Sequence, residues 1–159
     1  CCNDVVVGVV YNPVSGSLFY GEKGKGAYLN DKKIFISKDD RDHAIITISP
    51  GKTNADRKFQ KELFYSFPDK IVRTVRNLGC TSIELAYVAR GGLEANIQLG
   101  QNTYDFAAAT LLVKEAGGRI TKLDGKAWKF PENKFVVSNG IFHDLLIKEI
   151  KKHKNKLKI

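Results

Sequence analysis

The sequence predicts an α/β protein, and three observations carry that prediction. Over 159 residues it is 43% apolar and 27% charged, the balance of a single globular domain that can bury a core. From residue 71 onward, apolar runs of strand length alternate with stretches of helical period, the pattern of a layered α/β domain. Before residue 38 the pattern is different: short runs separated by Gly-rich and Asn-Asp turns read as hairpins of a separate antiparallel sheet. The seam falls on the polar residues 38–43, so residues 1–37 are expected to end an antiparallel sheet region and residues 38–159 to form an α/β domain.

The first strand is predicted at residues 5–11, stopped by Asn12-Pro13 and the Ser15-Gly16 turn, with residues 18–20 returning as its hairpin partner. Short strands follow at 27–29 and 34–36, on either side of Asn30-Asp31. The intervening glycines do not form a phosphate loop: G-x-x-x-x-G-K-[ST] is absent, and Gly24-Lys25-Gly26 lacks the third glycine of G-x-G-x-x-G, so they are turn glycines. A strand at 44–49 ends at Pro50-Gly51, and Asn54 is placed to cap a helix closed by Pro68. Next come a strand at 71–75, a helix at 81–89, a strand at 95–99, a helix at 105–115, strands at 119–123 and 134–138, and a last helix from residue 141.

The net charge is +9, but +5 of it lies in residues 148–159, where six lysines face one acid, Glu149. Lysines suit the negative end of a helix dipole, so this tail reads as a solvated helix end and not as a nucleic-acid arm. No apolar run approaches the roughly 18 residues of a membrane span, and no leader pattern opens the chain, so no membrane partner and a cytoplasmic location are expected. Cys1, Cys2 and Cys80 have neither zinc spacing nor an even count, which argues for reduced thiols. The chain opens on a Val run of buried-strand type, which needs neighbours on both edges, and is therefore expected to belong to a longer protein.

Two helix starts carry residues that chemistry could use. At Gly79-Cys80-Thr81-Ser82 a sharp turn would leave backbone N–H groups pointing out of a helix N-terminus, a setting that attracts anions and hydroxyls. Thr81-Ser82-Ile83-Glu84 also matches the S/T-x-x-E capping box, which would satisfy those donors internally. At the second start, Asp105 opens a helix apolar on nearly every side. Its carboxylate is explained as a cap by the dipole alone; its other reading is an oxygen ligand for Mg²⁺ at the end of a sheet strand. His43, His143 and His153 lack partners at suggestive spacing and read as surface residues. Arg90 reads as dipole compensation, and Trp128 as core.

Four segments together resemble the inositol monophosphatases and related Mg²⁺-dependent sugar phosphatases: GVVYNPVSGSLFYGEKGKGAYLNDKKI, RNLGCTSIELAYVARGGLEA, YDFAAATLLVKEAGGRITKLDGKAW and FVVSNGIFHDLL. Tyr104-Asp105-Phe106-Ala107-Ala108 through Glu115-Ala116-Gly117-Gly118 is similar to the family signature W-D-x-A-A/G followed by E-A-G-G, with Tyr in place of Trp. The resemblance implies a layered αβαβα sugar-phosphatase fold, of which this chain supplies the last strands of the first sheet and the α/β portion. It implies hydrolysis of a phosphate monoester of inositol or a related sugar with Mg²⁺ as cofactor, by a homodimer when complete. Asp105 is then a metal-ligating catalytic carboxylate beside the substrate, and Gly79, Cys80 and Thr81 contact substrate. Gln98 falls where inositol-specific members carry a Glu that binds ring hydroxyls, and a neutral amide can donate where a carboxylate only accepts, so fructose 1,6-bisphosphate or dual use stays open, as does a nucleotide 3′-phosphate. The family's other metal ligands come from a G-E-E-type segment and a D-P-[IL]-D-G-[ST] loop, and neither motif occurs in these residues. The chain alone is therefore expected to be inactive. A reading of another class is a non-catalytic binding module that uses the basic tail.

Overall fold

A computed structural model describes residues 4–68 and 70–157, with side chains described through Asn155. Cys1 and Cys2, the first residues of the Val-rich opening and the last lysine of the tail lie outside the described residues. Cys80 is a free, exposed thiol.

The opening hairpins form one antiparallel sheet in the order β1 (Val7–Asn12), β2 (Ser17–Glu22), β3 (Gly26–Leu29) and β4 (Lys32–Ile34). The β3–β4 turn is made by Asn30 and Asp31, both at positive φ (45° and 66°), the conformation a tight hairpin requires. The Gly-rich turn after β2 holds an anion, but a protein one: the N–H groups of Gly24 and Gly26 donate to the two carboxylate oxygens of Glu115 at 2.8 and 2.9 Å.

The second sheet has five strands. β5 (Ile45–Ser49), β6 (Thr74–Arg76) and β7 (Ala95–Leu99) run parallel, and β9 (Lys134–Ser138) lies antiparallel to both β7 and β8 (Arg119–Lys122), in the order β6-β5-β7-β9-β8. Helices α1 (Asn54–Ser66) and α4 (His143–Leu157) cover one face, burying Phe59, Leu63, Phe67, Leu146 and Ile150 against Ile46, Ile48, Ile97 and Val136. Helices α2 (Thr81–Ala89) and α3 (Thr103–Glu115) cover the other face and are themselves covered by the first sheet. The layers are therefore sheet, helices, sheet, helices. The far face of the first sheet is open among the described residues: Val7, Val9 and Tyr11 are 54–60% exposed, where the Val run predicts burial.

Sheet and helix approach closely because of Gly8. A methyl group added there would stand 2.6 Å from the Ala108 carbonyl oxygen, so no side chain fits between β1 and α3.

Strand β4 lies at Lys32–Ile34 where 34–36 is expected, and three further sequence expectations shift for local reasons. The α1 cap is Thr53, one residue earlier than Asn54: its hydroxyl accepts Asp56 N, and the Asp56 carboxylate takes Thr53 N in return. Strand β6 starts at Thr74 and not near 71, because the N–H groups of Lys70, Ile71 and Val72 all turn back onto the Phe67 carbonyl. His143 is fully buried instead of exposed, lying between Ser138 Oγ (2.7 Å from Nδ1) and Thr121 Oγ1 (2.8 Å from Nε2). Thr121 spends its proton on the Lys122 carbonyl, so Nε2 carries hydrogen toward Thr121 and Nδ1 accepts from Ser138. Trp128 is buried as expected, its indole N–H donating to the Glu132 carbonyl. No described helix is long and apolar enough to cross a membrane.

Burial first, then the nearby Arg119 guanidinium, lowers the His143 pKa to about 4. A base with a depressed folded-state pKa adds stability that is complete above its unfolded value near 6.5 and is lost as pH falls toward 4. Chemical denaturation across that window is expected to show a loss on the order of 3 kcal/mol attributable to His143, given the shift to about 4. His143→Gln should flatten the dependence between those pH values.

Candidate active site

Strands β6 and β7 each lead straight into a helix, α2 and α3, on the face between the sheets. Both helix N-termini consequently meet at the C-terminal edge of the parallel strands, the place where open α/β sheets leave a crevice. A cleft of about 310 Å³ lies there. One wall is the turn and first helical turn formed by Asn77, Gly79, Cys80, Thr81 and Ser82. The end of β5 supplies Ser49 and Pro50, and Glu84, Gln101 and Asp105 complete the lining. Four of the sequence-predicted residues, Gly79, Cys80, Thr81 and Asp105, are thus brought to one cavity.

Gly79 makes the turn, at φ +75° with its N–H on Asn77 Oδ1 at 2.8 Å. Cys80 is the N-cap of α2 and makes no side-chain cap bond; the first intrahelical bond runs from Glu84 N to Cys80 O. The capping box expected at 81–84 does not form. With Cys80 as cap, Glu84 is the fourth helical residue and not the third, so its carboxylate turns inward, where it is 1% exposed. Among the described residues, the N–H groups of Thr81 and Ser82 therefore meet no protein acceptor at the cleft.

Asp105 caps its helix and also faces the cleft. As the third residue of α3 its Oδ2 accepts Asn102 N at 3.1 Å, the cap interaction, and the half-buried carboxylate also lines the cleft. The side chain of Asn102 is held by Lys52 Nζ and by the Tyr104 hydroxyl. As a hard oxygen donor at a cavity wall, Asp105 suits one coordination position of a divalent cation. Among the described residues no three or more His, Cys, Asp or Glu side chains gather where they could hold a metal ion. The donor set fits a single shared ligand and does not by itself fit a two-ion centre.

Gln98 does not reach the cleft lining. It is fully buried in β7, its Nε2 donating to Ser49 Oγ at 2.9 Å and to Asn96 Oδ1 at 2.7 Å, while its Oε1 has no partner among the described residues. It belongs to a polar seam with Thr47, Ser49, Glu84 and Asn96 that sequence reasoning missed. The signal was present, since Thr47 and Ser49 in β5, like Asn96 and Gln98 in β7, alternate with apolar residues in strands buried on both faces. The other candidates lie elsewhere. His43 pairs with Asp40 at the surface, His153 sits beside Glu62, and the Arg90 guanidinium stacks on Tyr87 at 4.4 Å.

A layered α/β chain with two buried helices aiming their N-termini at one polar cleft is built to receive a small anionic or hydroxyl-bearing ligand. The sequence model of the inositol monophosphatase family matches residues 3–155, and the chain belongs to that family. It is 32% identical over 147 residues to a Thermotoga maritima fructose-1,6-bisphosphatase/inositol-1-monophosphatase, covering 92% of this chain and 56% of that protein. It is 31% identical to an inositol-1-monophosphatase of Mesorhizobium japonicum, over 93% and 56% of the two chains. A solved Thermotoga maritima inositol monophosphatase superposes with a TM-score of 0.83 at 29% identity, over 98% of this chain and 59% of that one. The chain therefore spans little more than half the length of these relatives.

The space beside Gly79 is open, with nothing within 4 Å of an added Cβ, so its constraint is conformational alone. Gly79→Ala is expected to lower the free energy of unfolding by about 1 kcal/mol through its positive φ, measured by denaturant titration.

Proposed function

We propose that this chain is the substrate-cleft portion of a Mg²⁺-dependent phosphatase that hydrolyses phosphate monoesters of inositol or related sugars. The supporting observation is the convergence on one cleft of Asp105 with the Thr81 and Ser82 N–H groups of α2, which meet no protein acceptor among the described residues. Asp105 acts as one ligand of the metal centre and lies beside the substrate, and its bond from Asn102 N fixes the orientation of the carboxylate. The Gly79–Ser82 turn offers backbone donors and the Thr81 hydroxyl to the ligand's phosphate and hydroxyl oxygens. When bound, Mg²⁺ supplies Lewis-acid activation of the attacking water and of the phosphoryl group. A centre of that kind needs several carboxylates, and Asp105 contributes one. The rest are proposed to come from a segment outside these 159 residues. Dual use of fructose 1,6-bisphosphate is the second reading, favoured by the name of the Thermotoga maritima relative.

Asp105→Asn in the complete protein is expected to lower Mg²⁺-dependent phosphate release from inositol 1-phosphate at least about a hundredfold, because one metal ligand is lost. Activity surviving in that variant would remove Asp105 from the centre. The purified 159-residue chain should release no phosphate under the same conditions, and measurable Mg²⁺-dependent turnover by it would overturn the division of ligands.

A further inference from the structure

Glu84 makes its bonds to neutral donors. Its Oε2 accepts the Ser49 hydroxyl at 2.6 Å and Asn96 Nδ2 at 3.0 Å, and its Oε1 accepts Leu78 N at 2.7 Å. No salt bridge is formed by this carboxylate among the described residues, although it is almost completely enclosed. A buried carboxylate without a cation is costly unless its acceptors are filled, and here three donors fill them.

The directions of these bonds follow from Glu84. Because Ser49 gives its proton to the carboxylate, its oxygen accepts from Gln98 Nε2. That orients the Gln98 amide with nitrogen toward Ser49 and Asn96, and leaves Oε1 as the unpartnered atom. Asn96 in turn gives Nδ2 to Thr47 Oγ1 at 2.7 Å as well as to Glu84. Of the three groups bound by Glu84, Ser49 lines the cleft, and Leu78 stands in the turn between two lining residues, Asn77 and Gly79.

We propose that Glu84 is a positioning residue of the cleft, holding the 77–80 turn and the Ser49 hydroxyl in place through its carboxylate, and that Gln98 completes this buried seam instead of meeting the ligand. The inference rests on the phosphatase reading for its kinetic test and on geometry alone for its exchange test. Glu84→Gln keeps the shape but offers one acceptor oxygen where two are used, so an NH₂ group must face either Leu78 N–H or the Ser49–Asn96 donors. Adding Asn96→Asp restores an acceptor opposite that NH₂ group, and Ser49 can turn to donate to Asp at 96.

In the complete protein, Glu84→Gln is expected to lower kcat/KM for inositol 1-phosphate by about tenfold to a hundredfold, chiefly through KM, as misplacement of a cleft wall does. The Glu84→Gln/Asn96→Asp pair should recover most of that loss. In the 159-residue chain, amide hydrogen exchange at Leu78 should quicken at least about tenfold in Glu84→Gln while Ile48 in the core stays protected. A kcat/KM within about twofold of wild type in Glu84→Gln overturns the proposal. So does a folded double variant without recovery, or a wild-type Leu78 amide that exchanges as in an unfolded peptide. If Glu84→Gln does not fold, the double variant and the wild-type exchange rate decide. If the wild-type complete protein hydrolyses no phosphate monoester, the phosphatase reading falls, and Leu78 exchange alone decides the role of Glu84.

Discussion

Enclosing two helices between two sheets limits side-chain size, and much of the structure follows from that limit. Ala86 and Ala89 of α2 and Ala109 of α3 are completely buried, and Gly8 of β1 lets the first sheet settle on α3. With both flanks covered, backbone donors of these helices can reach a ligand only at their ends. The parallel strands that feed them bring both N-terminal ends to one sheet edge. The cleft is thus a product of packing before it is a matter of particular side chains, and its anion-receptive character comes from the start of α2, whose Thr81 and Ser82 N–H groups meet no protein acceptor among the described residues.

That cleft shows how environment separates two similar carboxylates. Glu84 and Asp105 both stand near the first turn of a buried helix, where the dipole favours negative charge. Glu84 is one residue too far along to cap its own helix, so it turns inward and is engaged by a strand hydroxyl, a side-chain amide and a loop N–H. Asp105 sits at the third position, is engaged by a single backbone N–H, and keeps part of its carboxylate toward the cavity. One carboxylate therefore builds the wall and the other faces the cavity.

Much of this was legible in the sequence, and what was missed has an identifiable cause. β7, β9 and α2 fall where apolar period and turn residues put them, because short runs bounded by Gly and Asn leave little freedom. The start of β6 was missed because Pro68 does not reveal that three successive N–H groups fold back onto Phe67. His143 gave no periodic signal of burial, since its partner Thr121 lies 22 residues away and Thr121 and Ser138 each look like an ordinary strand residue. The site was half legible. Gly79, Cys80, Thr81 and Asp105 could be found from the turn, the helix start and the family resemblance. The polar seam could not, because it depends on which neighbours β5 and β7 acquire across the sheet. The position of Gln98 was readable by resemblance, but its burial is a property of this packing.

Glu115 has a different lesson. It opens the Glu-Ala-Gly-Gly run that marked the family in the sequence, yet its carboxylate does nothing at the cleft; it clasps the N–H groups of Gly24 and Gly26 and ties the end of α3 to the first sheet. It is thus a fastener between layers, at the end of the helix opposite Asp105. A gene copy that had drifted and lost every ligand at the cleft would still gain stability from that clasp. This half of the signature certifies ancestry and architecture, and a search keyed to it would gather working enzymes and silent descendants alike.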